Sequence, residues 1–148
     1  RSDHEVVYIC KTEPENPIIT TATVGTKNPM YCTSLGKAIL AYSDEETCGQ
    51  ILARMKFKKH TERTITDRES LKRELERVRD QGYALDEREV EEHMECVGAP
   101  VFGPDGSVVG ALSVSSLYKP TEDYEQLGRL TAKKAAEVSK LLGFLGKI

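Results

Sequence analysis

Two β-like runs carry the side chains with the most chemical potential. Within Cys96–Phe102 the alternate residues Cys96, Gly98 and Pro100 share one face, and within Val108–Leu117 the alternate residues Ala111, Ser113 and Ser115 share one face. If the two faces coincide, one side of a sheet presents only small side chains, a thiol and two hydroxyls. Such a surface leaves room for a small ligand and offers it sparse polar contacts. It also suits a helix packed close to the sheet, with the serines bonded to backbone.

Three further places could do chemistry. Asp86 opens the acidic stretch Asp86–Glu92, where position rather than composition decides between solvation and function. Ser34 and Leu35 open a short helix after the loop-like passage Asn28–Thr33; free N–H groups at a helix start attract anions, although Ser34 would also serve as a plain N-cap. His93-x-x-Cys96, even with Asp86 and Cys32 as companions, has no ligand pair at zinc-finger spacing, so no metal and no other cofactor is expected. Gly36-Lys37 lacks the earlier glycine and the trailing hydroxyl residue of a phosphate-binding loop. No histidine is placed by the sequence against Cys96, as a cysteine nucleophile would require.

The elements that must position these residues follow from patterning and punctuation. Strands are expected at Glu5–Cys10, Ile18–Val24, Tyr83–Leu85, Cys96–Phe102 and Val108–Leu117, the last two joined into an antiparallel hairpin by Gly103-Pro104-Asp105-Gly106. A short helix is expected over Leu35–Ala41. Ser43-Asp-Glu-Glu46 and Thr66-Asp-Arg-Glu69 read as capping boxes that start two more helices. The second of these buries Leu71, Leu75 and Val78 and stops at Gly82. A final helix begins at Pro120–Asp123 and carries Leu127, Leu130, Val138, Leu141 and Leu142 on one side. Strands, then helices, then strands and a terminal helix, without regular alternation, make an α+β fold.

The bulk numbers bound the function. A chain of 148 residues with 39% hydrophobic content supplies one core and one domain, here 1–148. With a net charge of −3 it lacks the clustered lysine and arginine that direct nucleic-acid binding demands. Four scattered cysteines without a Cys-x-x-Cys pair point to reduced thiols and a cytoplasmic location, and no apolar run is long enough for a membrane-spanning helix. The chain begins at Arg1 and enters a strand almost at once, as a segment of a longer protein would.

Gly82-Tyr-Ala-Leu-Asp86-Glu-Arg-Glu89, followed six residues later by Cys96-Val97-Gly98-Ala-Pro-Val101-Phe102, resembles the signature of the isocitrate lyase regulator (IclR) family of bacterial transcription factors. Ser34-Leu-Gly-Lys-Ala-Ile-Leu-Ala41 is similar to that family's Gly-Lys-Ala helix and Ser113-Val-Ser115 to its Ser-x-Ser strand; Gly103 departs from the usual Asp or Asn. The resemblance implies a GAF-like effector-binding domain, mostly antiparallel sheet flanked by helices, that senses a small organic acid and assembles as a homodimer or tetramer. It also implies a winged helix-turn-helix domain, absent from this chain, through which alone operator DNA is bound. Carried over, the effector-binding positions are Ser34, Leu35, Asp86, Cys96, Ser113 and Ser115. Asn28-Pro-Met-Tyr31 and Thr61-Glu-Arg-Thr-Ile-Thr66 resemble regulators of 2-keto-3-deoxygluconate catabolism within the family. Two other classes stand beside this one: a GAF-type methionine sulfoxide reductase with Cys96 as nucleophile, and an oligomerisation module without a ligand.

Overall fold

A computed structural model describes residues 4–13, 15 and 22–146. Strands β1 (Glu5–Val7) and β2 (Lys27–Pro29) form an antiparallel pair. A turn of 3-10 helix, Met30–Cys32, leads into α1 (Ser34–Tyr42), followed by α2 (Glu45–Arg54) and α3 (Arg68–Gln81). Strands β3 (Ala84–Glu87), β4 (Met94–Phe102) and β5 (Val108–Leu117) make a second antiparallel sheet in the order β3-β4-β5, and α4 (Tyr124–Leu141) closes the chain. The architecture is the α+β one expected. The expected strand Ile18–Val24 lies mostly outside the described residues; Ala22–Val24 is not strand, and Thr23 and Thr26 close a turn instead. The first strand ends at Val7 rather than Cys10, although Tyr8 still exchanges backbone hydrogen bonds with Thr26 and Gly25.

The caps fall one residue from where the sequence put them. Asp44 and Asp67, not Ser43 and Thr66, accept the first-turn amides of Thr47 and Ser70, each at 2.8 Å. Ser43 turns back to donate to the Ile39 carbonyl and so ends α1. Thr33 rather than Ser34 caps α1, accepting from the Gly36 amide at 3.2 Å, which leaves Ser34 as the first helical residue. A carboxylate outcompetes a hydroxyl at α2 and α3 because it also opposes the positive end of the helix. Gly82 ends α3 with φ of 84°, a left-handed conformation that costs glycine little.

Two apolar clusters sandwich the larger sheet. Leu40, Leu71, Leu75, Val78 and Tyr31 fill the side covered by α1 and α3. Tyr83, Val97, Ala99, Val101 and Ala135 fill the side covered by α4. Each fully buried Leu or Val contributes roughly 1.5–3 kcal/mol by leaving water. The last helix buries a face of small residues, and of its leucine-rich side Leu127 packs partly against the core. Gly128, Thr131, Ala135 and Ser139 meet the sheet, while Leu130, Val138, Leu141 and Leu142 are exposed. Close approach explains the choice: a Cβ on Gly128 would lie 2.3 Å from the Tyr83 ring, and the Ser139 hydroxyl accepts from the Phe102 amide at 2.9 Å. Leucines on that face would hold the helix off the strand.

Candidate functional site

The hairpin register decides whether the two small-residue faces coincide. Cys96 pairs with Ser115, Gly98 with Ser113 and Pro100 with Ala111, so they do. β3 extends the rows, with Asp86 opposite Cys96 and Ala84 opposite Gly98. Asp86, Cys96 and Ser115 therefore stand in one line across three strands, with Ser113 in the next. Both sequence alternatives hold in part. The start of α1 packs on this face so closely that a Cβ on Gly98 would sit 2.7 Å from the Ser34 carbonyl carbon. Yet the Ser113 hydroxyl bonds to no described residue, and a recess remains beside the contact.

That recess has about 450 Å³ of non-protein space counted out to its mouth, of which about 40 Å³ is free to the centre of a water molecule. All six positions carried over from the resemblance line it: Ser34, Leu35, Asp86, Cys96, Ser113 and Ser115. Ser34 and Asp86 are buried, Ser113 is half-buried, and Ser115 is exposed. The first-turn amides of Ser34 and Leu35 have no carbonyl within their own helix to donate to, which leaves the helix start able to bond an anion. Sequence reasoning missed the far wall, built by Tyr8, Asn28 and Met94, with Asn28 Nδ2 donating to the Tyr8 hydroxyl at 3.2 Å. Tyr8 and Asn28 belong to the small sheet and its flank, whose proximity to β4 no local pattern announces.

A braced turn holds Asp86 in place. Its Oδ1 accepts the Glu89 amide at 2.8 Å, across a chain reversal in which Arg88 takes a left-handed φ of 64°. The Thr61 and Thr64 hydroxyls donate to the Arg88 and Glu89 carbonyls, each at 2.7 Å, and the Arg88 guanidinium lies 3.9 Å from the centre of the Tyr118 ring. Thr61 and Thr64, two of the residues that prompted the comparison with 2-keto-3-deoxygluconate regulators, thus have a supporting role. Behind the turn, Lys37 is buried and ion-paired to Glu89 and, at 3.2 Å, to Glu74. Burial opposes its charge, but the two glutamates outweigh burial and hold its pKa above the ordinary lysine value. The signal for this cluster was present in the sequence: a lysine amid the apolar residues of α1 needs a buried partner, and Glu89 belongs to the signature.

Among the described residues no comparable cation is paired to Asp86. Burial, with the Glu89 charge nearby, pushes its carboxyl up to about 7 against the amides of Glu89 and Val90 and the more distant Lys37. Burial and the neighbouring Asp86 push the Cys96 thiol up to about 12, although the Ser115 hydroxyl favours its charged form. A thiol held protonated is a poor nucleophile. Among the described residues no group of three or more His, Cys, Asp or Glu could hold a metal ion. No helix among them is long and apolar enough to cross a membrane. The recess thus presents hydroxyls, helix amides and a carboxyl of raised pKa to whatever enters it.

The fold is that of the effector-binding domain of bacterial transcriptional regulators, and it closely matches the regulator IclR of Thermotoga maritima, with a TM-score of 0.90, 36% identity and coverage of 97% of this chain and 59% of that one. The chain belongs to the IclR family: residues 1–140 match the model described as "Bacterial transcriptional regulator IclR C-terminal". It is 35% identical over 144 residues to the HTH-type transcriptional regulator KdgR of Escherichia coli strain K12, covering 96% of this chain and 55% of KdgR. It also resembles the inducer-binding domain of the Acinetobacter transcription factor PobR, solved as a double mutant with 3-hydroxybenzoic acid, with a TM-score of 0.83, 26% identity and coverage of 95% and 85%. These relatives are transcriptional regulators, not enzymes, and the chain spans about half the length of KdgR.

Proposed function

We propose that this chain is the sensor of a DNA-binding regulator, and that a small carboxylic acid bound beneath the start of α1 controls operator binding by a winged helix-turn-helix domain outside it. The observation that carries the reading is the line Asp86–Cys96–Ser115, with Ser113 beside it, placed under a helix N-terminus by the register of three strands. In the proposed complex the ligand carboxylate accepts from the Ser34 and Leu35 amides and the Ser113 and Ser115 hydroxyls. Asp86 either donates while protonated or accepts from a ligand hydroxyl. A hydroxylated keto acid of the 2-keto-3-deoxygluconate type satisfies both ends, and the likeness to KdgR supports that class. Binding shifts the protein between two arrangements of a dimer or tetramer, by no more than the ligand's differential affinity for them.

The test is a thermal-shift panel of sugar acids, keto acids and aromatic acids. A ligand at about one hundred times its Kd adds about 2.7 kcal/mol to the native state, a rise of several degrees for a domain of this size. Ser113→Ala with Ser115→Ala should abolish the rise and keep the fold. If no acid in the panel stabilises the protein at millimolar concentration, or if the double variant responds undiminished, the assignment is wrong.

A further inference from the structure

A second recess opens on the far side of the braced turn, between α3, the segment before it, and β3. It leaves about 410 Å³ free to the centres of water molecules, against about 40 Å³ in the recess under α1. Three arginines line it, Arg63, Arg73 and Arg77. Arg77 is committed, with Nε 3.1 Å from Glu74 and Nη2 3.5 Å from Glu87. The other two are not. Among the described residues neither the Arg63 nor the Arg73 guanidinium forms an ion pair, and Arg73 reaches only the Ser70 hydroxyl, at 3.0 Å.

Glu89, almost wholly buried, also lines this recess. One of its oxygens is taken by Lys37, and the Ile65 amide is directed at the carboxyl and favours its charged form, but Oε2 has no donor at full hydrogen-bond geometry among the described residues. A buried acceptor left without a donor is costly. With Lys37 behind it, the recess sets four cations against the carboxylates of Glu74, Glu87 and Glu89. Two guanidinium groups without an ion pair match a carboxylate, and a donor-poor carboxylate matches a hydroxyl or an ammonium; the Ser70 hydroxyl is not available to the ligand, since it donates to Asp67 at 2.7 Å. We propose that this recess is a second binding site, for a small carboxylic acid that carries a hydroxyl or ammonium group, held by Arg63 and Arg73 at one end and by Glu89 at the other.

Glu89 joins this site to the first. Its carboxylate lines the second recess while its amide donates to Asp86 Oδ1 in the first. A ligand that shifts Glu89 changes the affinity of the other site, and by the same factor in both directions.

Amide-resolved NMR of this chain tests the proposal in the Ser113→Ala, Ser115→Ala background, so that failure of the first site cannot be mistaken for failure of the second. The probes are D-glycerate, L-serine and propionate, which share a carboxylate and differ in the second group. Saturable shifts of the Arg63, Ile65 and Arg73 amides with glycerate or serine are expected, the tighter of the two identifying the second group as hydroxyl or ammonium. Propionate should bind roughly tenfold more weakly, and Arg63→Gln with Arg73→Gln, both at exposed positions, should weaken the bound acid by roughly tenfold or more. The proposal is overturned if neither glycerate nor serine gives saturable shifts at about 50 mM. It is equally overturned if the shifts are confined to the first recess, or if the arginine variant binds unchanged.

Discussion

Asp86→Asn isolates the most consequential charge in the site. The carboxyl has an ordinary value of 3.8 and is pushed up to about 7 by burial, so between those values the folded protein keeps a proton that the unfolded chain has released. Stability from this group is therefore complete below about pH 4 and falls as pH rises, levelling off above about 7. A tenfold difference in proton affinity between the folded and unfolded chains is worth about 1.4 kcal/mol, so from pH 4.5 to pH 8 Asp86 should remove about 3 kcal/mol. Asparagine mimics the protonated acid and keeps an oxygen for the Glu89 amide, which lies 2.8 Å from Oδ1. Urea unfolding of both proteins across that range is the assay. Glu89 and Glu95 are also raised by burial and contribute to both curves, so the quantity to read is the difference between the proteins. The variant should gain about 3 kcal/mol relative to the parent between pH 4.5 and pH 8. Parallel curves would show that Asp86 titrates as an ordinary carboxyl and would remove the physical basis for its role as a donor.

Other perturbations probe other parts of the site. Affinity for a plain keto acid without a hydroxyl, measured by calorimetry, should fall as pH rises through about 7 in the parent and stay level in Asp86→Asn. Gly98→Ala places a Cβ 2.7 Å from the Ser34 backbone; chemical unfolding should register a loss of about 1–3 kcal/mol, with weaker acid binding as α1 shifts. Lys37→Met leaves Glu89 and Glu74 facing each other without their shared cation, and the same assay should show about 3–5 kcal/mol of destabilisation. Cys96 should react with iodoacetamide at pH 8 far more slowly than exposed Cys10, followed by mass spectrometry, because burial and Asp86 push its thiol up to about 12.

Much of this architecture was legible because it depends on local signals. Asp105-Gly106 announced the hairpin and Gly82 the end of α3, and period-two alternation placed Cys96, Gly98, Ser113 and Ser115 on faces that the register then brought together. The misreadings involve competition between partners that a sequence does not show. Leu130, Val138, Leu141 and Leu142 look like the inner stripe of α4, but Tyr83 and β4 select the small face because it permits a closer approach. Asp44 and Asp67 displaced Ser43 and Thr66 as caps, a contest settled by geometry within one residue. Tyr8 and Asn28 reach the recess from a separate two-stranded sheet and its flank, and the Lys37–Glu89 pair joins residues 52 positions apart. No window of neighbouring residues contains either relation.

In the proposed complex a small acid lies between the start of α1 and the line Asp86–Cys96–Ser115. A crystal structure of this chain grown with saturating 2-keto-3-deoxygluconate tests it most directly. The ligand carboxylate should lie within hydrogen-bond distance of the Ser34 or Leu35 amide and the Ser113 hydroxyl, with a ligand oxygen on Asp86. A sugar acid bound elsewhere while this recess stays closed, or none bound at saturating concentration, would contradict it.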